Sequence, residues 1–153
     1  MASYVFDSNE FINLQRRQPI DIMPTLWNII GEQMEKGVII SSREVYDELM
    51  IGGDELKDWA KIHKECFLPS TVEIQNSVRE ILSVHRGLVE GGRKKNSADP
   101  FVIALAKQKQ CKVVTEETRN GNPNSPKIPD VCDHYKIECI DFVTFAREIQ
   151  IRL

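Results

Sequence analysis

"SYVFDSN", residues 3–9, sets how the rest of the chain is read. Tyr4, Val5 and Phe6 form a short apolar run of good strand formers that stops at a polar turn, the pattern of a buried strand ending at Asp7. The segments after Asp7 decide the fold class. "EFINLQRRQ" and "PTLWNIIGEQMEKG" carry apolar residues at helical spacing, with Pro24 suited to a first helical turn and Gly37 to a helix stop. "VII" at 38–40 then reads as a second strand, and "SSREVYDELM" as a helix fed directly by it, with Ser41 and Glu44 at capping-box spacing. Gly52 and Gly53 end that helix.

The alternation continues. "DELKDWAKIHKEC" is a short amphipathic helix with Leu56, Trp59, Ala60 and His63 on related faces, and "FLP" is a brief extended piece. Ser70 and Glu73 form a second capping-box pair for the helix "STVEIQNSVREILSVHRGL". A glycine and lysine loop, "VEGGRKKNS", leads to "NSADPFVIALAKQKQ", a helix that starts at a proline and is apolar nearly all round. "CKVVT" and "IECI" are two further strands, and "DFVTFAREIQ" is a closing helix. Between those strands "RNGNPNSPKIPD" is too rich in glycine, asparagine and proline for regular structure. Strands alternating with helices predict a single α/β domain over residues 1–153, a three-layer α/β/α sandwich around a mainly parallel sheet of four to five strands.

Composition bounds the function. At 153 residues, 41% hydrophobic and 28% charged, the chain can bury a core of its own and needs neither metal nor disulfide to fold. A net charge of -3 gives no global attraction for nucleic acid, which leaves only local basic patches to supply one. Cys66, Cys111, Cys132 and Cys139 form no C-x-x-C pair, and no signal-like segment opens the chain, so they read as reduced, mostly buried thiols of a cytoplasmic protein. "CDHYKIEC" holds Cys132, His134 and Cys139, but structural zinc sites use tighter paired spacings. No apolar run approaches the roughly 18 residues of a membrane span.

In parallel α/β sheets, ligands bind beyond the carboxyl ends of the strands. Acidic residues collect there in the expected topology: Asp7 after the first strand, Glu48 on the helix after the second, Asp99 at the start of the apolar helix, and Glu116 or Glu117 after the third clear strand. Each has a local explanation as well. Asp7 and Asp99 suit helix starts, and the glutamates suit a solvated surface. Brought to one rim, however, carboxylates repel and call for a cation, and an oxygen-only ligand set without a well-placed histidine favours Mg²⁺ or Mn²⁺.

The same residues carry a family resemblance that covers nearly the whole chain. "YVFDSN" with Asp7, "SREVYDEL" with Glu48, "ADPFVIALA" with Asp99 and "KVVTEE" resemble the motifs of PIN-domain proteins, the nuclease fold that includes VapC-type toxins. "GGDELKDWA" and "KIPDVC" are similar to a bacterial and archaeal PIN-like branch of largely unknown function. The resemblance implies metal-dependent hydrolysis of RNA phosphodiester bonds by Asp7, Glu48, Asp99 and Glu117. Glu116 is the near alternative to Glu117, and glutamate stands where many PIN proteins carry aspartate. It also implies supporting roles for Asn9 and Thr115 behind the metal ligands, a small antitoxin protein as partner, and dimerisation, which is frequent in the family.

An acidic site that receives a polyanion needs basic flanks. Arg86, Arg93, Lys94 and Lys95 precede Asp99, while Arg119 and Lys127 come after Glu117, so both loops are candidates for phosphate contact. Tyr4, Trp27 and Trp59 read as core or interface aromatics, with no evident base-stacking platform. A haloacid-dehalogenase-type phosphatase would want a second aspartate at position 9, which is Asn9. The alternative from a different class is a PIN-like interaction module whose metal site has degenerated.

Overall fold

The computed structural model describes residues 3–88 and 98–153. Five strands, β1 (Tyr4–Phe6), β2 (Ile39–Ser42), β3 (Phe67–Leu68), β4 (Lys112–Val114) and β5 (Cys139–Ile140), form one sheet in the order β3-β2-β1-β4-β5. Every pairing is parallel. The chain builds outward from β1 to one edge and then returns to build the other, so the order reverses between β1 and β4. That is the position where such sheets open a crevice beyond the strand ends.

Among the described residues, eight helices surround the sheet: α1 (Ser8–Arg17), α2 (Pro24–Glu35), α3 (Arg43–Ile51), α4 (Asp54–Ile62), α5 (Val72–Val84), α6 (Asp99–Lys109), α7 (Ile128–His134) and α8 (Phe142–Glu148). The result is the expected α/β/α sandwich. In α6 Pro100, Val102, Ile103, Ala104, Leu105 and Ala106 are all buried, because this part of the helix is wedged between the sheet and α5, and only its last turn, with Gln108 and Lys109, reaches solvent. Tyr4 and Phe6 share one face of β1 by strand alternation. Phe145 of α8 stands edge-on to both, with ring centroids 4.9 and 5.1 Å away, and Phe11 of α1 packs 5.3 Å from Phe6. Of the two readings for Trp27 and Trp59, core and interface, the structure places both in the core.

Local details differ from the sequence reading. The second strand lies at Ile39–Ser42, and Ser42, not Ser41, caps α3 by accepting the Val45 N–H. Ser41 is still in the strand, and its hydroxyl donates to the Phe6 carbonyl at 2.7 Å. Likewise Thr71, not Ser70, caps α5, through the Ile74 N–H. In both places two adjacent hydroxyl residues offer the same chemistry, and the exit direction of the preceding strand selects the second. The helix expected over 70–88 is α5 alone, succeeded by a 3-10 turn at Arg86–Leu88. The segment "RNGNPNSPKIPD" is irregular only as far as Lys127, since Ile128 opens α7. Pro129 is tolerated there because a first helical turn needs no donor, and the Asp130 carboxylate accepts the Lys127 N–H at 2.8 Å. The four cysteines are free, and only Cys132 is fully buried. Among the described residues no helix is long and apolar enough to cross a membrane.

Candidate functional site

The last register pair between β1 and β4 is Phe6 with Val114, so Asp7 and Thr115 leave the sheet side by side. Thr115 Oγ1 donates to Asp7 Oδ2 at 2.8 Å, and the Glu10 N–H donates to Asp7 Oδ1 at 2.6 Å. Asp7 therefore does cap α1, and it also faces the crevice at the reversal of strand order. Its side chain is buried, and desolvation pushes its carboxyl up to about 7 against the opposing help of those two hydrogen bonds.

Asp99 occupies the first turn of α6, one residue inside the N-cap position, which is Ala98 and has no side-chain cap. It too is buried, and its carboxyl lies well above the usual carboxylate range. Burial is the main cause, with the charges of Glu117, Asp7 and Glu48 next and Lys127 acting in the opposite sense. The four acids of the sequence reading thus share one electrostatic neighbourhood at the carboxyl end of β1 and β4.

Glu48 reaches this neighbourhood from α3, where Ser8 Oγ donates to its Oε1 at 2.6 Å and the Ala98 N–H approaches its Oε2 at 3.4 Å. Glu117 is held by Asn9 Nδ2 at 3.2 Å and by the Ile128 N–H at 3.1 Å, while its own N–H donates to Thr115 Oγ1. Asn9 and Thr115 accordingly orient two acids from behind. Ser8, between Asp7 and Asn9, does the same for Glu48. The sequence does not single it out, because a serine at a helix start ordinarily reads as a cap.

Glu116 is turned the other way. It accepts the Phe142 N–H of α8 at 2.9 Å and hydrogen-bonds the buried Glu10, whose carboxyl is pushed up to about 10 by burial and by this acidic neighbour. Residues 116 and 117 are consecutive, so their side chains diverge, and the structure separates the two alternatives geometrically.

The basic flanks are unequal. Arg93, Lys94 and Lys95 lie outside the described residues. Arg119 forms a two-pronged ion pair with Asp133 at 2.5 and 2.6 Å, which holds the guanidinium against α7. Lys127 is the basic residue whose charge Asp99 feels. The loop bearing it meets the turn bearing Arg86 at Gly87, where a Cβ would fall 2.4 Å from the Asn124 carbonyl oxygen. Only glycine permits that approach, and it draws the two loops together. Beside the acids, an open cleft of about 420 Å³ is lined by Thr115, Glu117, Arg119, Asp141 and Thr144 among others.

A second cluster was not legible as such in the sequence. Glu35, His63 and Cys66 bring one carboxylate oxygen, one imidazole nitrogen and one sulfur within 4.8 Å of one another, and could hold a metal ion. Among the described residues this is the only group of three or more such side chains that close. The acidic set at the crevice is more open. "CDHYKIEC" forms no such group: Cys132 lies against Cys139, while His134 packs on His85 and Tyr135.

Fold and site together define an α/β protein with an acidic crevice at the strand-order reversal of a parallel sheet. The chain belongs to DUF4411, a domain family of unknown function, whose profile matches residues 4–153. No curated protein matches it.

Proposed function

We propose that this chain is a PIN-like, metal-dependent endoribonuclease that hydrolyses RNA phosphodiester bonds. The observation that carries the reading is the burial of Asp99 in the combined field of Asp7, Glu48 and Glu117. Two acids held above the usual carboxylate range by burial and by neighbouring negative charge call for a compensating cation, and their all-oxygen donor set fits Mg²⁺ or Mn²⁺. Asp7 and Asp99 would contact the ion directly. Glu48, steadied by Ser8, and Glu117, steadied by Asn9 and Ile128, would complete or flank its shell. When bound, the ion supplies Lewis acidity and a more acidic water for hydrolysis. Lys127 would receive a substrate phosphate, offsetting the repulsion between an acidic crevice and a polyanion. Free thiols suit a reducing cytoplasm, and a small antitoxin-like protein that covers the crevice belongs to the same proposal.

The test incubates the purified chain with structured RNA pools in Mg²⁺ or Mn²⁺ and then in EDTA. The expected result is cleavage that disappears in EDTA and in Asp99→Asn. Cleavage that survives either change overturns the proposal. Tight Mn²⁺ binding that is lost in Asp7→Asn supports the nuclease reading, whereas no detectable Mn²⁺ binding favours the interaction module, whose metal site has degenerated.

A further inference from the structure

Glu35 is the last residue of α2, His63 caps the end of α4, and Cys66 closes the 3-10 turn Lys64–Cys66 that leads into β3. His63 Nδ1 lies 2.9 Å from Glu35 Oε1, and Cys66 Sγ lies 3.5 Å from the same oxygen. The 3.5 Å separation is the edge of a small tetrahedron with bonds of about 2.0 to 2.3 Å, while the 2.9 Å pair is a hydrogen bond that must open by a few tenths of an ångström to admit an ion.

Two features hold the imidazole in this pose. The ring sits against Gly31 of α2, where a Cβ would come within 2.8 Å of both Cε1 and Nε2, so no larger residue leaves room for it. Trp59, one turn earlier on α4, packs against its other surroundings with ring centroids 4.7 Å apart. The cluster is also reachable, since the Glu35 side chain is 60% exposed and that of His63 15%. His63 and Cys66 are separated by two residues, the compact spacing of a zinc half-site.

We propose that Glu35, His63 and Cys66 form a zinc-binding clasp, distinct from the acidic crevice, with solvent completing a four-coordinate shell. Imidazole nitrogen with sulfur selects a thiophilic ion over Mg²⁺ or Mn²⁺. On binding, Cys66 releases its thiol proton to solvent and Sγ becomes a thiolate ligand, while His63 coordinates through Nδ1. The clasp joins the end of α2 to the segment entering β3, the two-residue strand at one edge of the sheet. Its role is therefore to secure that edge.

The experiment adds Co²⁺ to the reduced, metal-free protein and follows absorbance, then adds Zn²⁺ as competitor. The expected result is one equivalent of Co²⁺ giving a sulfur-to-cobalt charge-transfer band, which Zn²⁺ abolishes. The band should be absent in Cys66→Ser and present in Asp7→Asn. In His63→Ala the apparent affinity should fall by more than the roughly 10–100-fold typical of losing an outer-shell partner. Far-UV circular dichroism of each variant establishes that it is folded, and Zn²⁺ should raise the thermal midpoint of the parent but not of Cys66→Ser. A parent protein without the band overturns the proposal. So does a band that persists in Cys66→Ser, which would place the thiolate at Cys111, Cys132 or Cys139.

Discussion

Thr115 Oγ1 donates a 2.8 Å hydrogen bond to Asp7 Oδ2 and accepts the Glu117 N–H at 3.1 Å. One hydroxyl at the end of β4 thus fixes the acid that ends β1 and the backbone of the acid two residues further on. Thr115→Val keeps the shape but leaves both partners unsatisfied in a buried place, and should cost about 1–3 kcal/mol in urea unfolding in EDTA. Thr115→Ser should recover most of it. A Val variant as stable as the parent would show that Asp7 does not depend on this bond.

Glu10 provides a pH test directly behind Asp7, on the side where Glu116 turns. In the folded chain its carboxyl stays protonated to about pH 10, against an ordinary value of 4.5. Between those values the unfolded chain binds fewer protons, so the contribution of Glu10 to stability is full at low pH and is lost as pH rises. Glu10→Gln keeps a donor toward Glu116 and cannot ionise. Its stability relative to the parent should rise steadily from pH 5 through pH 7 to pH 9, measured by urea unfolding. A difference independent of pH would contradict the buried, protonated state.

The capping assignments can be separated by two alanine substitutions. Thr71→Ala removes the acceptor for the Ile74 N–H and should cost about 1 kcal/mol. Ser70→Ala touches only an exposed contact with Gln75 and should stay within about 0.5 kcal/mol of the parent. Equal effects would mean that α5 starts one residue earlier, at Thr71.

If RNA is the substrate, Lys127 and Arg119 should differ although both border the same loop. Lys127→Ala should weaken RNA binding and lower its salt slope by about one, as the loss of one phosphate contact requires. Arg119 is occupied by Asp133, so Arg119→Ala should change the slope less while loosening the loop. Fluorescence anisotropy with labelled RNA at several salt concentrations reads both quantities. A larger slope change for Arg119 would reverse the assignment.

Local patterning was sufficient for most of the elements. The apolar run Tyr4–Phe6, the pair Val113 and Val114, helical spacing in α1 to α5, and Pro100 ahead of the apolar stretch Phe101–Ala106 arise from side-chain periodicity and backbone preference, which act over a few residues. The segment that became α7 was obscured because proline and asparagine dominate its approach, although Pro129 fits a first turn as well as a loop.

The sequence by itself determined that the strands alternate with helices and that Asp7, Glu48, Asp99 and Glu117 stand near their ends. Their meeting was decided by the strand order, which sets β1 beside β4 and so Asp7 beside Thr115. The tertiary structure also turned Glu116 toward Glu10 and Glu117 toward Asn9, and chose Ser42 over Ser41 as the cap of α3. It brought Glu35 to His63 across 28 positions. The reason is physical: periodicity reports which face of an element is buried, whereas pairing and packing between distant elements fix which side chains on those faces come within a hydrogen bond of each other.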